Sequence, residues 1–495
     1  MADCLDAACL TLVHHGEEVP SLLWARRPDD APALARFHVC PGGLVDASDG
    51  DMPNDGGSDV AARVSALRET FEEVGVLFAH GAERLREPEI EALRDALRGD
   101  TPAEGRARFR AHGLVWQTAS LAPAGRWVTP RYARRRFDTR FFGLSVEGPL
   151  PVDADLFELD HAEWIRADHA WARWARGEVM LAPPLAALLR SLDRHGRLMP
   201  DELCQVHGAD GQECLRWEVV PWLQMMPLLT PTLPPATHTN AYLVGSGEAI
   251  LVEPATPHAE ELDRAVRWIE EARRDGIHPK AIVATHHHPD HVGGAKALSE
   301  RLGLPLWAHA MTAERLRGEL TFERLLEDGE RIHLDGPTPV TVRAVHTPGH
   351  APGHLCFVEE ASGAMLAGDM VASVGTILVE PHDGDMRLYL ESLARMAAER
   401  PSMLLPAHGM PIHDAQALLS HYIEHRLARE AKVRAALERH GGPASAMDLV
   451  PDCYGDAPKV VWPLAAQSTE AHLIKLAEDG AATRAPGGWM PAPRG

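Results

Sequence analysis

The sequence predicts an α/β protein in three segments, residues 1–205, 206–415 and 416–495, the last a small helical, winged-helix-like module. Three observations lead there. At 495 residues the chain is about three times a typical domain of ~150. Its 45% apolar and 24% charged residues are the composition of a soluble chain able to bury cores. From about 240 to 405, short β-branched runs alternate with helical stretches, which is the rhythm of strands crossed by helices.

The first segment opens with apolar runs at 8–13 and 21–24, read as a strand pair. A turn-rich stretch follows at 40–59, holding Pro41-Gly42-Gly43 and an acidic loop at 46–59. Residues 60–76 have helical spacing, because Val64, Leu67, Phe71 and Val74 recur at intervals of three and four. A polar insert at 85–125 precedes a strand at 141–146, and 164–192 reads as mostly helical, broken at Pro183-Pro184. The proline-rich stretch 227–235 reads as a linker or entry strand. Beyond it, the runs at 241–244, 249–252, 281–285, 340–345, 365–367 and 403–405 read as strands. Helices at 415–440, 444–450 and 462–479 and a fringe of Gly, Pro and Arg make up the last segment.

A formal net charge of −22 is a poor footprint for coating duplex nucleic acid or an anionic membrane. The seven cysteines (4, 9, 40, 204, 214, 356 and 453) are scattered without CxxC pairs, so neither a disulfide framework nor a cysteine zinc site is indicated. Residues 1–12 carry acids and no basic stretch, and no apolar run approaches 18 residues. These features predict a cytoplasmic chain that does not span a membrane.

The run Ile282-Val-Ala-Thr-His286-His-His288-Pro-Asp290-His291 sets four potential ligands just beyond an apolar strand. In extended chain, side-chain direction repeats every two residues, so His286, His288 and Asp290 share a side and His287 points away. Imidazole and carboxylate suit zinc at ~2.0–2.2 Å. His350, Asp369 and His408 also follow apolar strands and stand beside Gly or Pro, at the carboxyl strand ends where α/β sites assemble. Singly, each reads as an ordinary loop residue; together they read as one site. For His354, contact with substrate, a supporting role and mere solvation all remain open.

This spacing resembles the metallo-β-lactamase superfamily over roughly 225–415. The resemblance implies an αββα sandwich with two metals. His286, His288 and His350 would hold the first zinc, Asp290, His291 and His408 the second, and Asp369 would bridge them. Two cations ~3.5–4 Å apart activate water and clamp both attacked and departing oxygens. Asp290 would then serve as ligand and catalytic carboxylate. The tail His421-Tyr-Ile-Glu-His425-Arg-Leu-Ala-Arg429-Glu is similar to the β-lactamase-like protein 2 subgroup, associated with hydrolysis of thioesters or single-stranded RNA. Val252-Glu253-Pro254-Ala255 departs from the family, which places an aspartate followed by a small residue and glycine there.

Arg68-Glu69-Thr-Phe-Glu72-Glu73-Val-Gly75-Val puts Glu69, Glu72 and Glu73 on one helical face. Three crowded acids repel unless a hard cation sits among them, and Mg²⁺ prefers oxygen ligands. This stretch resembles the Nudix box: Gly, five residues, Glu, seven residues, then Arg-Glu-apolar-x-Glu-Glu-x-Gly-apolar. Thr70 replaces an apolar residue, and an insertion of 11 residues separates Gly43 from Arg68 relative to the box. Asp46 is the guessed counterpart of the upstream Glu. Trp127-Val-Thr-Pro130 and Arg135-Arg136-Phe137-Asp138-Thr139 look like the Nudix motif 19 subgroup of coenzyme A diphosphatases. The resemblance implies an α/β/α sandwich over about 1–200, with Mg²⁺ or Mn²⁺ at Glu69, Glu72 and Glu73 and one of these acids activating water. Arg135 and Arg136 could pair with phosphate. The coenzyme A signature (Arg26, Arg27, Arg36) is partial.

The expected function is therefore a two-site metal-dependent hydrolase: a zinc site cutting an ester or acyl-thioester, and a Nudix site cutting or binding a diphosphate such as coenzyme A. The alternative is a zinc endoribonuclease on single-stranded RNA with a non-catalytic Nudix sensor. Arg426, Arg429, Lys432 and Arg434 would face that RNA, but Glu424 and Glu430 interleave with them.

Overall fold

The computed structural model describes residues 4–16, 18–31, 34–99, 102–129, 135–154, 157–200 and 217–493. Pro130, Cys204, Cys214 and the boundary expected at 205/206 lie outside the described residues. The chain divides into two compact units, 1–220 and 221–495.

In the first unit an eight-stranded sheet runs in the order Met180–Leu181, Phe37–Val39, Ser21–Arg26, Cys4–His14, Arg136–Val146, Ala122–Val128. Gly42–Leu44 pairs with Cys4–His14, and His161–Arg166 with Ser21–Arg26. Cys4–His14 lies parallel to Arg136–Val146 along its full length. Helix Val60–Val74 buries Val64, Leu67, Phe71 and Val74 in one core with Ala8, Leu10, Leu12 and Leu23 of the sheet. Gly75, at φ 78°, ends the helix in the left-handed conformation that glycine tolerates.

Three sequence expectations are corrected here. The stretch 85–125 is no mere polar insert: helices Glu87–Arg98 and Pro102–Ala111 bury Leu93, Leu97 and Phe109, and Phe109 stacks on Trp116 at 4.5 Å. Trp164 belongs to a strand, His161–Arg166, not a helix. Pro183 and Pro184 begin helix Pro183–His195, where the first turn needs no N–H and the fixed proline φ fits.

His38 sits inside this sheet, buried, its ring 4.4 Å from that of Trp24. Burial, helped by the Arg173 charge, pushes its pKa from 6.5 down to about 4. The unfolded chain therefore takes up a proton that the folded one refuses. Stability is lost as pH falls from 6.5 toward 4, by up to about 3 kcal/mol. We expect His38→Gln to flatten this loss. Hydrogen exchange of peptides spanning 21–39, corrected for intrinsic rates and compared at pH 7 and 4.5, measures it, and identical pH responses of wild type and variant would refute it.

In the second unit one sheet runs Leu223–Leu229, His238–Val244, Glu248–Val252, His278–Val283, Leu306–His309, Arg324–Leu326. The pairings are antiparallel up to Glu248–Val252 and parallel beyond it. The other sheet runs Arg331–Leu334, Val340–His346, Leu355–Glu359, Ala364–Gly368, Met403–Pro406. Backbone and side-chain bonds join the two sheets: Asn240 N donates to Ala407 O at 2.8 Å, Tyr242 Oη to Pro406 O at 2.8 Å, and Leu355 N to Thr285 O at 2.9 Å. Helix Ala259–Arg274 buries Trp268, whose Nε1 donates to Gln224 Oε1 at 2.8 Å. Helix Met386–Ala398 packs Tyr389, Leu393 and Met396 with Met365 and Leu404 of the second sheet.

Helices Ala415–His440, Ala446–Cys453 and Trp462–Glu478 follow, and the predicted Gly/Pro/Arg fringe is a β-hairpin, Ala482–Ala485 against Gly488–Pro491. Trp489 from this hairpin joins Val433, Leu449 and Leu473 in a small core. Among the described residues no helix is long and apolar enough to cross a membrane.

Candidate metal centres

The carboxyl ends of strands His278–Val283, Val340–His346, Ala364–Gly368 and Met403–Pro406 deliver His286–His291, His350, Asp369 and His408 to one place. His286 Nε2 is 3.0 Å from His288 Nδ1, and His350 Nε2 lies 3.3 Å from the former and 3.0 Å from the latter. Asp290, His291 and His408 form a second group whose ligand atoms are all within 4.8 Å of one another. Asp369 lies between the groups: its Oδ2 is 3.5 Å from both His350 Nε2 and His291 Nε2, and its Oδ1 is 3.3 Å from His408 Nε2. Asp290 Oδ2 stands 3.7 Å from His291 Nε2 and 3.6 Å from His408 Nε2.

The outward ring nitrogens decide what the inward ones can be. His350 Nδ1 donates to Leu378 O at 2.8 Å and His408 Nδ1 to His238 O at 2.9 Å. Thr285 Oγ1 donates to Glu253 Oε1 at 2.6 Å, so it accepts from His286 Nδ1 at 3.0 Å. His291 Nδ1 faces Glu253 Oε2 at 3.2 Å, and His288 Nε2 faces Asp383 Oδ2 at 3.0 Å. Each imidazole spends its proton outward, leaving three lone pairs pointed at one another across about 3 Å. That arrangement is unfavourable unless a cation shares them, and such outer partners are how histidine ligands are oriented. The donor set therefore fits metal.

Electrostatics agree with this reading. Burial, reinforced by His291 and His288, holds His286 well below its usual pKa, and burial pushes His350 down to about 4. His286 and His350 are thus neutral imidazoles. Burial would also lower His291, but Glu253, Asp369 and Asp290 outweigh it and raise it. Around the second group carboxylates dominate. Burial would raise Asp369, yet His408 and His291 hold it well below the carboxylate range.

Three further residues belong to the site. Glu253, the departure noted in the sequence, is buried with φ 64° and orients His291 directly and His286 through Thr285. Its position in the family pattern was the only signal for it. Asp383 meets His288, His287 Nε2 at 3.2 Å and Arg315 at 3.0 Å. His287 is therefore tied to the rim of the site. Nothing in the sequence singled out Asp383. His354 is buried, and its Nε2 accepts from Asp369 N at 3.0 Å. It is a support for Asp369, with no face open to substrate.

In the first unit Glu69 and Glu72 share Arg68, at 2.8 and 3.3 Å, while Glu73 Oε2 accepts from Gly42 N at 2.8 Å. A Cβ on Gly43 would lie 2.5 Å from the Glu69 carboxyl carbon, so a larger residue there would push that carboxylate aside. Burial pushes Glu69 up to about 7 against the pull of Arg68, and raises Glu72; Glu158, unforeseen in the sequence, adds to both. Crowded carboxylates under this strain suit a hard divalent cation. The packing is looser than among the histidines, since no three of these acids gather within 4.8 Å.

Arg68 also grips Asp49, Nε to Oδ1 at 3.0 Å and Nη2 to Oδ2 at 3.1 Å. Asp49 stands six positions after Gly43, where the Nudix box has its upstream Glu. It replaces the guess of Asp46, which is bound to Ser48 at its own turn. Arg136 Nε donates to Thr129 O, and Arg135 lies over the Phe137 ring at 5.3 Å. Arg26 is held by Asp160 at 2.7 Å.

Residues 234–408 match the family described as metallo-beta-lactamase superfamily. Lactamase-like protein adaB of Aspergillus niger is 31% identical over 257 residues, covering 49% of this chain and 75% of that protein. The chain belongs to the metallo-β-lactamase superfamily. Within it, the Beta-lactamase-like protein 2 homolog of Caenorhabditis elegans is 30% identical, over 49% of this chain and 79% of that one. An atrochrysone carboxyl ACP thioesterase of Aspergillus chevalieri is 32% identical, over 49% and 76%.

Residues 51–192 match the NUDT19 Nudix domain, and 445–489 the beta-lactamase associated winged helix domain. A solved beta-lactamase domain protein from Burkholderia ambifaria, 25% identical, covers 56% of this chain and 93% of its own at a TM-score of 0.49. The chain is thus a metallo-β-lactamase-fold hydrolase with a Nudix hydrolase domain before it and a winged helix after it.

Proposed function

We propose that the metallo-β-lactamase domain hydrolyses acyl-thioesters at a dinuclear zinc centre, and that the Nudix domain cuts or binds a diphosphate such as coenzyme A with Mg²⁺ or Mn²⁺. The observation that carries the first half is the convergence of His286, His288 and His350 on one point and of Asp290, His291 and His408 on another, with Asp369 touching both. A zinc pair held there would supply Lewis acidity and a water acidic enough to attack near neutral pH. Asp290, 3.6–3.7 Å from His408 and His291, would take up a proton from the attacking water and return it to the departing thiolate. The protein's own task is orientation: Glu253, Asp383, Leu378 O and His238 O fix the imidazoles before substrate arrives.

The thioesterase name of one relative supports this substrate class. Arg426 and Arg429 are buried and bonded inside the second unit, so they present no phosphate-binding face. In the Nudix half, Glu69, Glu72 and Glu73 would hold the cation, and either Glu72 or Glu73 would activate water.

The test is elemental analysis of the purified full chain joined to a hydrolysis screen. We expect about two zinc per chain, turnover of acyl-coenzyme A or other acyl-thioesters, and a Mg²⁺-dependent diphosphatase activity that Glu72→Gln abolishes without touching thioester turnover. Cleavage of single-stranded RNA with no thioester or diphosphate hydrolysis would overturn the proposal.

A further inference from the structure

The tail motif from His421 to Glu430 lies on helix Ala415–His440, and its fold explains its spacing. Tyr422, Arg426 and Arg429 are buried, being four and then three residues apart and so on one face. That face does not simply fill a core. Tyr422 Oη accepts from Ala372 N at 3.0 Å and donates to Ala372 O at 3.1 Å. One turn on, the Arg426 guanidinium donates to Ile377 O and lies 5.3 Å over the ring of Tyr389, whose hydroxyl donates to Met370 O at 2.7 Å.

All of these bonds end on the segment 370–378. It starts one residue after Asp369, and its last carbonyl, that of Leu378, receives His350 Nδ1. The same chain continues to Asp383 at His288 and to Asp385, whose N donates to Gly349 O at 2.8 Å. It has little regular structure of its own: no helix or strand spans 370–385. Its backbone is held from outside, by Tyr422 and Arg426 of helix Ala415–His440, by Tyr389 of helix Met386–Ala398, and by the bond from Ser373 N to His408 O at 3.2 Å.

We propose that Tyr422 and Arg426 are positioning residues that clamp segment 370–378 and thereby fix Asp369 and the Nδ1 partner of His350. This rests on the reading of those two as metal ligands. The C-terminal helix is then a part of the metal site, and an arginine that the sequence offered to RNA instead points inward to a carbonyl. Losing an outer partner of a ligand typically weakens metal binding 10–100-fold.

The experiment is a Zn²⁺ competition titration with a chromophoric chelator on the full chain, alongside kinetics with an acyl-thioester. Arg426→Met and Tyr422→Phe should each weaken Zn²⁺ binding about tenfold or more and lower kcat, with KM changed less than about twofold. Arg426→Lys, which keeps one donor, should recover part of the affinity. Arg434→Met, on an exposed arginine of the same helix, should leave both unchanged. If Arg426→Met does not fold, Tyr422→Phe decides, since it deletes both hydrogen bonds and hardly alters volume. Wild-type Zn²⁺ affinity and kcat in a folded Arg426→Met, or in Tyr422→Phe, would overturn the clamp. His350→Ala in parallel separates the two readings: full Zn²⁺ affinity there would instead overturn the assignment of the ligands.

Discussion

Asp369→Ala will strip metal from the second unit and abolish its hydrolysis. Asp369 reaches both groups of histidines, at 3.5 Å to His350 and His291 and 3.3 Å to His408. Its deletion removes that shared contact and leaves the imidazoles facing one another with less carboxylate charge around them, that of Asp290, Glu253 and Asp383. Losing an outer partner costs 10–100-fold in affinity, so losing a direct ligand should exceed about 100-fold. The turnover number should fall by ~10³ or more, about 4 kcal/mol of barrier. Zinc per chain and kcat measure this together. Two metals retained in the folded variant would refute the assignment.

The second large effect concerns stability. Arg68 is 8% exposed and Asp49 0%, and the two are joined by a bidentate pair that Leu44 O extends at 3.1 Å. Burial works against the Arg68 charge, but Asp49, Glu69 and Glu72 outweigh it and raise its pKa. Arg68→Met takes the guanidinium partner from the buried Asp49 carboxyl, leaving it the Asp46 N–H at 2.8 Å, and lets Glu69 and Glu72 repel. Breaking such a buried pair typically costs ~3–5 kcal/mol, whereas replacing both partners with apolar groups is close to neutral. We therefore expect Arg68→Met to destabilise the first unit by about that amount, and Arg68→Met with Asp49→Leu to recover most of it. Hydrogen exchange in helix Val60–Val74 reads this unit apart from the second. Equal destabilisation by the single and double variants would refute the account.

How much of this was legible in the sequence depends on how local each signal was. His286, His288, Asp290 and His291 lie within six residues, and His350, Asp369 and His408 each close an apolar strand, so the strand-end rule gathered all seven. Glu69, Glu72 and Glu73 were readable for the same reason, one helical face. Asp383 was not, because it stands in an irregular segment and meets His288 only through the fold. Asp49 was missed because 18 residues separate it from Arg68 where the Nudix box has seven. The helices at 87–98 and 102–111 hid behind their charge: only a few apolar residues carry their buried face, and the polar majority dominated the reading. Arg426 is hidden for the opposite reason: its charge points to a surface, yet its guanidinium caps a buried carbonyl.

The grip between Arg68 and Asp49 also says what the eleven extra residues are free to do. With both ends of the excursion pinned at one point, the closure entropy of the loop rises only as the logarithm of its length, by about 0.6 kcal/mol per doubling. Descendants could lengthen the turn at Gly56 and Gly57 while the acidic helix kept its place, but not the stretch before it, where Met52 is buried and Asp55 is bonded to Trp116, Thr118 and Ala119.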